Sequence, residues 1–208
     1  MARTWHSQKQ IKIPLSNLGL ILADAGIELK IMEQLEDGGQ DIANKIWLQY
    51  GGEEDGNVDE EKQLKNLINH IVKLAKDYPI IFPVHPRTKK LLEGLHLNFD
   101  NLHYVEPLGY LNFNYLVKNA FAMLTDSGGI TEETTVMNVP CITLRDSTER
   151  PETCEIGTNV LVGNDTTKIE AAFKILLSGK WKQGQTPELW DGKAASRIID
   201  NLVAIFQV

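Results

Sequence analysis

The sequence has little cysteine and no long apolar run. Only Cys141 and Cys154 occur among 208 residues, too few for a disulfide scaffold and too far apart for a redox motif. We therefore expect buried or inert thiols and a reducing, cytoplasmic environment. The longest apolar stretch near the start, residues 18–27, is interrupted by Gly19, Asp24 and Gly26, which predicts neither a membrane-spanning helix nor a signal peptide.

The sequence also lacks an excess of positive charge. Its formal net charge is -7, whereas generic binding to nucleic acid or to anionic membranes requires basic patches. We therefore expect neither as a partner, and any phosphate ligand must be held by a local pocket. No histidine has metal-ligand spacing to another, so no metal site is predicted. Length and hydrophobic content suit one sizeable globular domain, with room for an appendage.

From residue 45 onwards, short apolar segments alternate with helical patterns, whereas residues 1–44 show no strong periodicity. Continuously apolar strands separated by helices predict βαβ units and a parallel sheet covered on both faces. We expect an α/β, doubly wound, mostly parallel and Rossmann-like domain over residues 45–208, preceded by an N-terminal segment of uncertain structure. The predicted strands are residues 46–50, 80–84, 102–105, 121–124, 141–144 and 159–162.

Polar groups follow several predicted strands at their carboxyl ends, which is where such sheets bind ligands. After residues 121–124 the sequence reads Asp126-Ser-Gly-Gly129 and then the start of a helix. Paired glycines let backbone N–H groups approach a ligand, and a helix N-terminus attracts anions. The pattern indicates a phosphate or diphosphate site, although an ordinary strand-to-helix turn explains it equally well when it is taken alone.

Five separated segments, in the same order, resemble the C-terminal half of the non-hydrolysing UDP-N-acetylglucosamine 2-epimerases. Agreement over five segments is far more specific than one glycine turn. A further segment, residues 191–197, resembles the entry to the last helix of that family. The five segments are Phe82-Pro-Val-His-Pro-Arg-Thr88, Pro107-Leu-Gly-Tyr-Leu-Asn-Phe113, Leu124-Thr-Asp-Ser-Gly-Gly-Ile-Thr-Glu-Glu133, Arg145-Asp-Ser-Thr-Glu-Arg-Pro-Glu152 and Gly157-Thr-Asn-Val-Leu-Val-Gly163.

The resemblance implies one half of a GT-B-type pair of Rossmann-like domains, with an active site in the cleft between them. The implied reaction interconverts UDP-N-acetylglucosamine and UDP-N-acetylmannosamine by elimination and re-addition of UDP, and it needs no nicotinamide or other cofactor. The residues implied to bind UDP or the UDP-sugar are Ser127, Gly128 and Gly129 at the diphosphate, Glu133 at the ribose hydroxyls, Arg150 near the phosphates or sugar, His85 at the nucleotide and Phe113 near the uracil.

The sequence departs from the family in two places. Family members are nearly twice as long, and their N-terminal Rossmann domain carries most of the acid/base carboxylates, whereas residues 1–44 are too short to form that domain. The first strand of the family's C-terminal half usually ends in a motif with an active-site histidine, and residues 48–57 contain none. A truncated, rearranged or mis-joined gene product would show this pattern, and the catalytic residues stay unassigned.

Three functions remain open at this stage. The first is the UDP-sugar-binding C-terminal domain of an epimerase that is inactive alone, completed by a missing N-terminal domain or a second copy of the chain. The second is a stand-alone, non-catalytic nucleotide-sugar-binding module. The third, on fold analogy, is a GT-B-type glycosyltransferase domain. Among neighbouring charges, Glu132 is expected to be an acid in the first helical turn, and Arg145 is divided evenly between a surface and a site role.

Overall fold

The computed structural model describes residues 46–49, 58–84 and 86–206. Predictions for residues 1–44 and for His85 therefore lie outside the described residues. The strands are β1 (Ile46–Gln49), β2 (Ile80–Pro83), β3 (Leu102–Val105), β4 (Ala122–Thr125), β5 (Cys141–Thr143) and β6 (Asn159–Leu161). The helices are α1 (Val58–Leu74), α2 (Pro86–Leu95), α3 (Tyr110–Lys118), α4 (Gly128–Met137), α5 (Pro151–Glu155), α6 (Thr166–Leu177) and α7 (Ala194–Phe206).

The six strands form one sheet in the order β3-β2-β1-β4-β5-β6. Every neighbouring pair is parallel. This is the doubly wound Rossmann order, and the direction in which the strands are added reverses between β1 and β4. The predicted α/β Rossmann-like fold is confirmed. In sheets of this kind the ligand crevice lies outside the carboxyl ends of the strands at the reversal point, which is where β4 leads into α4.

Alternate residues of the central strands contribute to two separate cores. In β2, Ile80 and Phe82 belong to the first core, and Ile81 belongs to the second. Since successive side chains of a strand point to opposite faces, apolar residues at every position place a core on each side of the sheet. This is the physical reason why the strands lack a polar alternation.

Helix α1 covers the first face with a stripe of buried residues at helical spacing. It packs against α2 and α6, and the chain turns towards β2 after Ala75, which is fully buried. Three- and four-residue spacing places these side chains on one side of the helix. The other buried residues of the stripe are Leu64, Leu67, Ile68, Ile71 and Val72.

Two helices begin at a proline. Helix α2 starts at Pro86, and the short helix α5 starts at Pro151. Proline suits the first position of a helix because its fixed φ is already helical and its missing N–H would have no partner there. In both motifs the proline therefore starts a helix.

Helix α7 carries a large exposed apolar surface. Ile205 and Phe206 are 70% and 69% exposed, and no residue of the helix is buried. Its first turn is fixed by Arg197, which donates two hydrogen bonds to Asp191 and one to the Leu189 carbonyl. Across the described ranges, no helix has both the length and the hydrophobicity required to cross a bilayer.

Candidate functional site

The turn between β4 and α4 leaves the first N–H groups of the helix without a capping side chain. Ser127 is the N-cap residue, yet in the described part of the chain its hydroxyl makes no capping hydrogen bond. Its own N–H donates to Thr125 Oγ1 at 3.0 Å, which holds the turn. The first turn of α4 contains no acidic residue. An uncapped helix start with two glycines meets the requirements of an anion site.

Gly128 and Gly129 begin two different faces of α4. A Cβ atom on Gly128 would lie 3.1 Å from Arg145 Nη1 and 3.4 Å from Glu149 Oε2. A Cβ atom on Gly129 would meet no described atom within 4 Å outside its own helix. Residues four apart share a helix face, so the Gly128 face carries charged neighbours, whereas the other face is open at Gly129.

Glu133 lies on the open face with Gly129, about 6 Å further along the helix axis. Its Oε2 atom is buried, and no described residue donates a hydrogen bond to it. A buried carboxylate oxygen without a donor is costly, and a ligand hydroxyl that donated to it would offset this cost. The open face of α4 therefore offers a hydrogen-bond acceptor to a ligand that reaches the helix start.

Glu132 lies on the other face and binds Arg150. The Arg150 Nε donates to Glu132 Oε1 at 2.5 Å, and this hydrogen bond, together with the charge of Glu132, raises the pKa of Arg150. The expectation that Glu132 is a first-turn acid is wrong. Helix α4 begins at Gly128, so Glu132 is its fifth residue and its carboxylate serves an ion pair rather than the helix dipole.

Arg145 and Glu149 form a second ion pair next to the start of α4. Arg145 Nη2 donates to Glu149 Oε1 at 2.9 Å, and Nη1 donates to Oε2 at 3.3 Å. The pKa of Glu149 is lowered mainly by a hydrogen bond from its own backbone N–H. The hydrogen bond and the positive charge of Arg145 lower it further. Sequence reasoning missed Glu149. The available signal was its position four residues after Arg145 and immediately before Arg150.

A buried polar network holds the backbone at Arg150. Thr153 is fully buried, and its Oγ1 donates to the Arg150 carbonyl at 2.8 Å. Asn159 in β6 donates to Thr153 Oγ1 at 3.3 Å and accepts from Thr143 Oγ1 in β5 at 2.6 Å. Because every link is internal, the network ties the start of α5 to two neighbouring strands and fixes where the Arg150 side chain begins.

Gly163 fixes the loop that carries Arg145. Its N–H donates to the Arg145 carbonyl at 3.2 Å. Its φ is +58°, and a Cβ atom at this position would lie 2.1 Å from Asp146 Oδ1. Only glycine fits such a left-handed and crowded position without strain. The last glycine of the Gly157–Gly163 motif therefore serves packing beside the site.

Phe113 lies on α3, which packs against α4. Its ring is half-buried against the second core, which includes Ile81 and Met123.

The structure brings together most of the residues implied by the motifs. The turn and helix α4 carry Ser127, Gly128, Gly129 and Glu133, Arg150 joins α4 through Glu132, Phe113 lies on the adjacent helix, and His85 lies outside the described residues.

Comparison with known proteins decides the family. The model of the family described as UDP-N-acetylglucosamine 2-epimerase matches residues 54–203, which is most of the chain. The chain belongs to the UDP-N-acetylglucosamine 2-epimerase family. The resemblance that the five segments indicated is confirmed, and these segments lie within the matched range.

Two relatives of the chain are epimerases named for different UDP sugars. A UDP-N-acetylglucosamine 2-epimerase from Methanocaldococcus jannaschii is 46% identical over 153 residues, covering 69% of this chain and 40% of that protein. A UDP-2,3-diacetamido-2,3-dideoxy-D-glucuronate 2-epimerase from Pseudomonas aeruginosa is 33% identical over 150 residues, covering 72% of this chain and 42% of that protein. The chain thus spans about two fifths of the length of the curated relatives it matches.

Solved epimerase structures match the fold. The Methanocaldococcus jannaschii UDP-GlcNAc 2-epimerase in complex with UDP-GlcNAc and UDP aligns with a TM-score of 0.65 at 34% identity, covering 96% of this chain and 62% of that one. The Neisseria meningitidis UDP-GlcNAc 2-epimerase bound to UDP-GlcNAc aligns with a TM-score of 0.67 at 27% identity, covering 91% and 50% respectively. The described fold is therefore that of one Rossmann-like half of a GT-B-type epimerase.

Proposed function

We propose that this chain binds the UDP portion of a UDP-N-acetylglucosamine-type sugar at the start of α4. The observation that carries the proposal is the buried Glu133 Oε2, which has no donor among the described residues and lies on the open face that begins at Gly129. A ribose ring supplies two hydroxyl donors. Its vicinal hydroxyls, joined to a diphosphate at the helix start, match an acceptor placed about 6 Å along the same face.

The diphosphate takes the uncapped end of α4. The backbone N–H groups of Gly128 and Gly129 donate to phosphate oxygens. The Ser127 hydroxyl, which makes no capping hydrogen bond within the described residues, adds a third donor. Arg150 contributes positive charge near the phosphates or the sugar. Phe113 packs near the uracil, and His85 lies at the nucleotide. UDP is the leaving group of the family's elimination step, and donors fixed in advance favour its departing charge.

We propose that turnover requires groups beyond this UDP site. The elimination and re-addition of UDP need general acid/base residues near C2 of the sugar. Residues 48–57 lack the histidine that family members carry there, and a second domain or a second copy of the chain supplies the missing groups. On this view residues 45–208 form the UDP-sugar-binding domain.

The sugar itself is the less constrained part of the proposal. One relative is named as a UDP-N-acetylglucosamine 2-epimerase and another as a UDP-2,3-diacetamido-2,3-dideoxy-D-glucuronate 2-epimerase. The substrates in both names are UDP sugars with a nitrogen substituent on C2. We propose UDP-N-acetylglucosamine because the more similar relative carries that name, and UDP alone is the ligand that tests the site itself.

The test is calorimetric titration of the full 208-residue chain with UDP and with UDP-N-acetylglucosamine, alongside an assay for epimerisation. We expect weak UDP binding, negligible turnover, and loss of binding in the double variant Ser127→Ala/Arg150→Gln, by about 100-fold or more. This loss corresponds to about 2.7 kcal/mol. Absence of UDP binding would overturn the site, and robust turnover by the isolated chain would overturn the claim that catalytic groups are missing.

A further inference from the structure

Both arginines beside α4 are engaged by glutamates. Arg150 binds Glu132, and Arg145 binds Glu149 through two parallel hydrogen bonds. The motif comparison points to Arg150 alone as a ligand-binding arginine. The position of Arg145 suits that role at least as well, because its Nη1 lies 3.1 Å from the point where a Gly128 Cβ would be.

The Glu149 carboxylate occupies a location in which an anionic ligand would sit. Its Oε2 lies 3.4 Å from the same point on Gly128, at the positive end of α4. Carboxylate and phosphate both offer two oxygens to the fork of a guanidinium. A phosphate that arrived at the helix start would therefore meet an arginine whose two terminal nitrogens already face a carboxylate.

Glu149 is well suited to be displaced. Its side chain is 69% exposed, whereas that of Arg145 is 34% exposed. The arginine backbone is held by the Gly163 N–H, while the glutamate lies in the loop before α5. An exposed glutamate can turn into solvent at little cost, because surface ion pairs contribute little net stability.

We infer that Arg145 is a further diphosphate-binding residue and that Glu149 is an internal competitor, holding the Arg145 guanidinium until a phosphate replaces its carboxylate. This inference rests on the proposed UDP site. It assigns Glu149 a negative effect on affinity, which is the opposite of what a binding residue would show. The pair keeps a charged arginine at the helix start in the unliganded protein without leaving it unpaired.

The test compares UDP affinities of the full-length wild type and the variant Glu149→Gln by calorimetry. We expect Glu149→Gln to bind UDP about three- to tenfold more tightly, because the amide holds the guanidinium less strongly. The matched control is Glu155→Gln, which removes the same charge from an exposed position in α5. Equal affinities of Glu149→Gln and Glu155→Gln overturn the inference, because the gain would then reflect only the change in net charge.

A double-mutant cycle identifies the mechanism. Arg145→Gln weakens UDP binding, and the gain from Glu149→Gln disappears in the Arg145→Gln background, because no guanidinium remains to be released. A gain that persists without Arg145 overturns the competition and leaves simple repulsion between Glu149 and the ligand. Thermal unfolding midpoints, compared across the four proteins, verify that each is folded.

The outcomes separate this inference from the proposed function. Wild-type binding of UDP with no gain in Glu149→Gln contradicts only the competition by Glu149. No binding by either protein contradicts both proposals. Binding that is measurable only in Glu149→Gln, and that is lost when Arg145→Gln is added, supports the competition, because the release of Arg145 then raises the affinity into the detectable range.

Discussion

Helices α4 and α6 both follow a parallel strand at the carboxyl edge of the sheet, yet their first turns are built differently. In α6 the N-cap Asp165 accepts hydrogen bonds from the N–H groups of Thr167 at 2.9 Å and Lys168 at 3.2 Å. In α4 the Ser127 hydroxyl makes no such bond in the described part of the chain. One helix start is closed by its own side chain, and we propose that the other binds a ligand.

The position of each helix in the sheet explains the difference. Helix α4 follows β4, at the point where the strand order reverses, whereas α6 follows β6, the outermost strand. Only the reversal point forms a crevice between diverging helices. At the outer edge, local capping stabilises the fold, while at the crevice we propose that the equivalent N–H groups bind a ligand. The comparison predicts that substitutions at α4 change affinity and substitutions at α6 change stability.

Among single substitutions, the largest effect is expected from Gly129→Ala. A Cβ atom there meets no described atom, so the fold tolerates it, but it occupies the space through which phosphate oxygens reach the backbone N–H groups. We expect UDP affinity to fall by at least about 30-fold, equivalent to about 2 kcal/mol. Stability should stay constant or increase, because alanine restricts the unfolded chain more than glycine does.

The matched control for this change is Gly94→Ala in α2. A Cβ on Gly94 also meets nothing within 4 Å, and the position is helical and exposed. Titration calorimetry and thermal unfolding of both variants separate the two effects. If Gly94→Ala and Gly129→Ala lowered UDP affinity equally, the open face of α4 would have no special role and the comparison with α6 would fail.

The next largest effect is expected from Glu133→Gln. The buried Oε2 has no donor in the described residues. A hydrogen bond to a charged group contributes about 1.5 to 3 kcal/mol, compared with about 1 kcal/mol for a bond between neutral groups. We expect UDP affinity to fall about tenfold, which is about 1.4 kcal/mol. Binding of inorganic pyrophosphate, measured by the same titration, should not change because it has no ribose.

Comparing UDP with pyrophosphate separates binding at the start of α4 from binding at Glu133, further along the same helix face. Equal losses for UDP and pyrophosphate would show that Glu133 supports the turn rather than the ribose. Unchanged affinity for both would place the nucleoside elsewhere. Glu155→Gln again serves as the charge control, because Glu155 is exposed on α5 and has no part in the proposed site.

The sheet could be predicted from the sequence because each strand is short, apolar and followed by a helical pattern. Ile80 to Phe82 illustrates the point, since burial on both faces demands apolar residues at every position. Helix α5 could not be predicted in the same way. Its five residues give too little periodicity, and Pro151 falls inside the Arg145–Glu152 segment, which has no apolar repeat.

The residues of the proposed site could be named from the sequence, but the ion pairs among their neighbours could not. Ser127 and the two glycines follow from the strand-to-helix pattern, because backbone donors need no particular side-chain partner. Arg150 and Glu132 are 18 positions apart in the sequence. They meet because β5 pairs with β4, which brings the loop after β5 next to α4. The role of Glu149 depends on its distance from Gly128, which only the folded chain defines.

The smallest expected effect is also the most direct test of the two helix starts. Asp165→Ala removes two capping hydrogen bonds and should lower the free energy of unfolding by about 1 kcal/mol. In a domain of this size the corresponding drop in the unfolding midpoint is about 2 to 4 °C. Ser127→Ala removes no capping bond, so its midpoint should stay within about 1 °C of the wild type by the same scaling.

Affinity should respond in the opposite order. Ser127→Ala removes a hydroxyl that faces the proposed diphosphate, whereas Asp165 lies on α6 beyond the outer strand. UDP titration of both variants should therefore show a loss only for Ser127→Ala, and differential scanning calorimetry should show a loss only for Asp165→Ala. A stability loss in Ser127→Ala as large as that in Asp165→Ala would mean that Ser127 caps α4 in solution. The two helix starts would then be equivalent, and the uncapped geometry would no longer support an anion site.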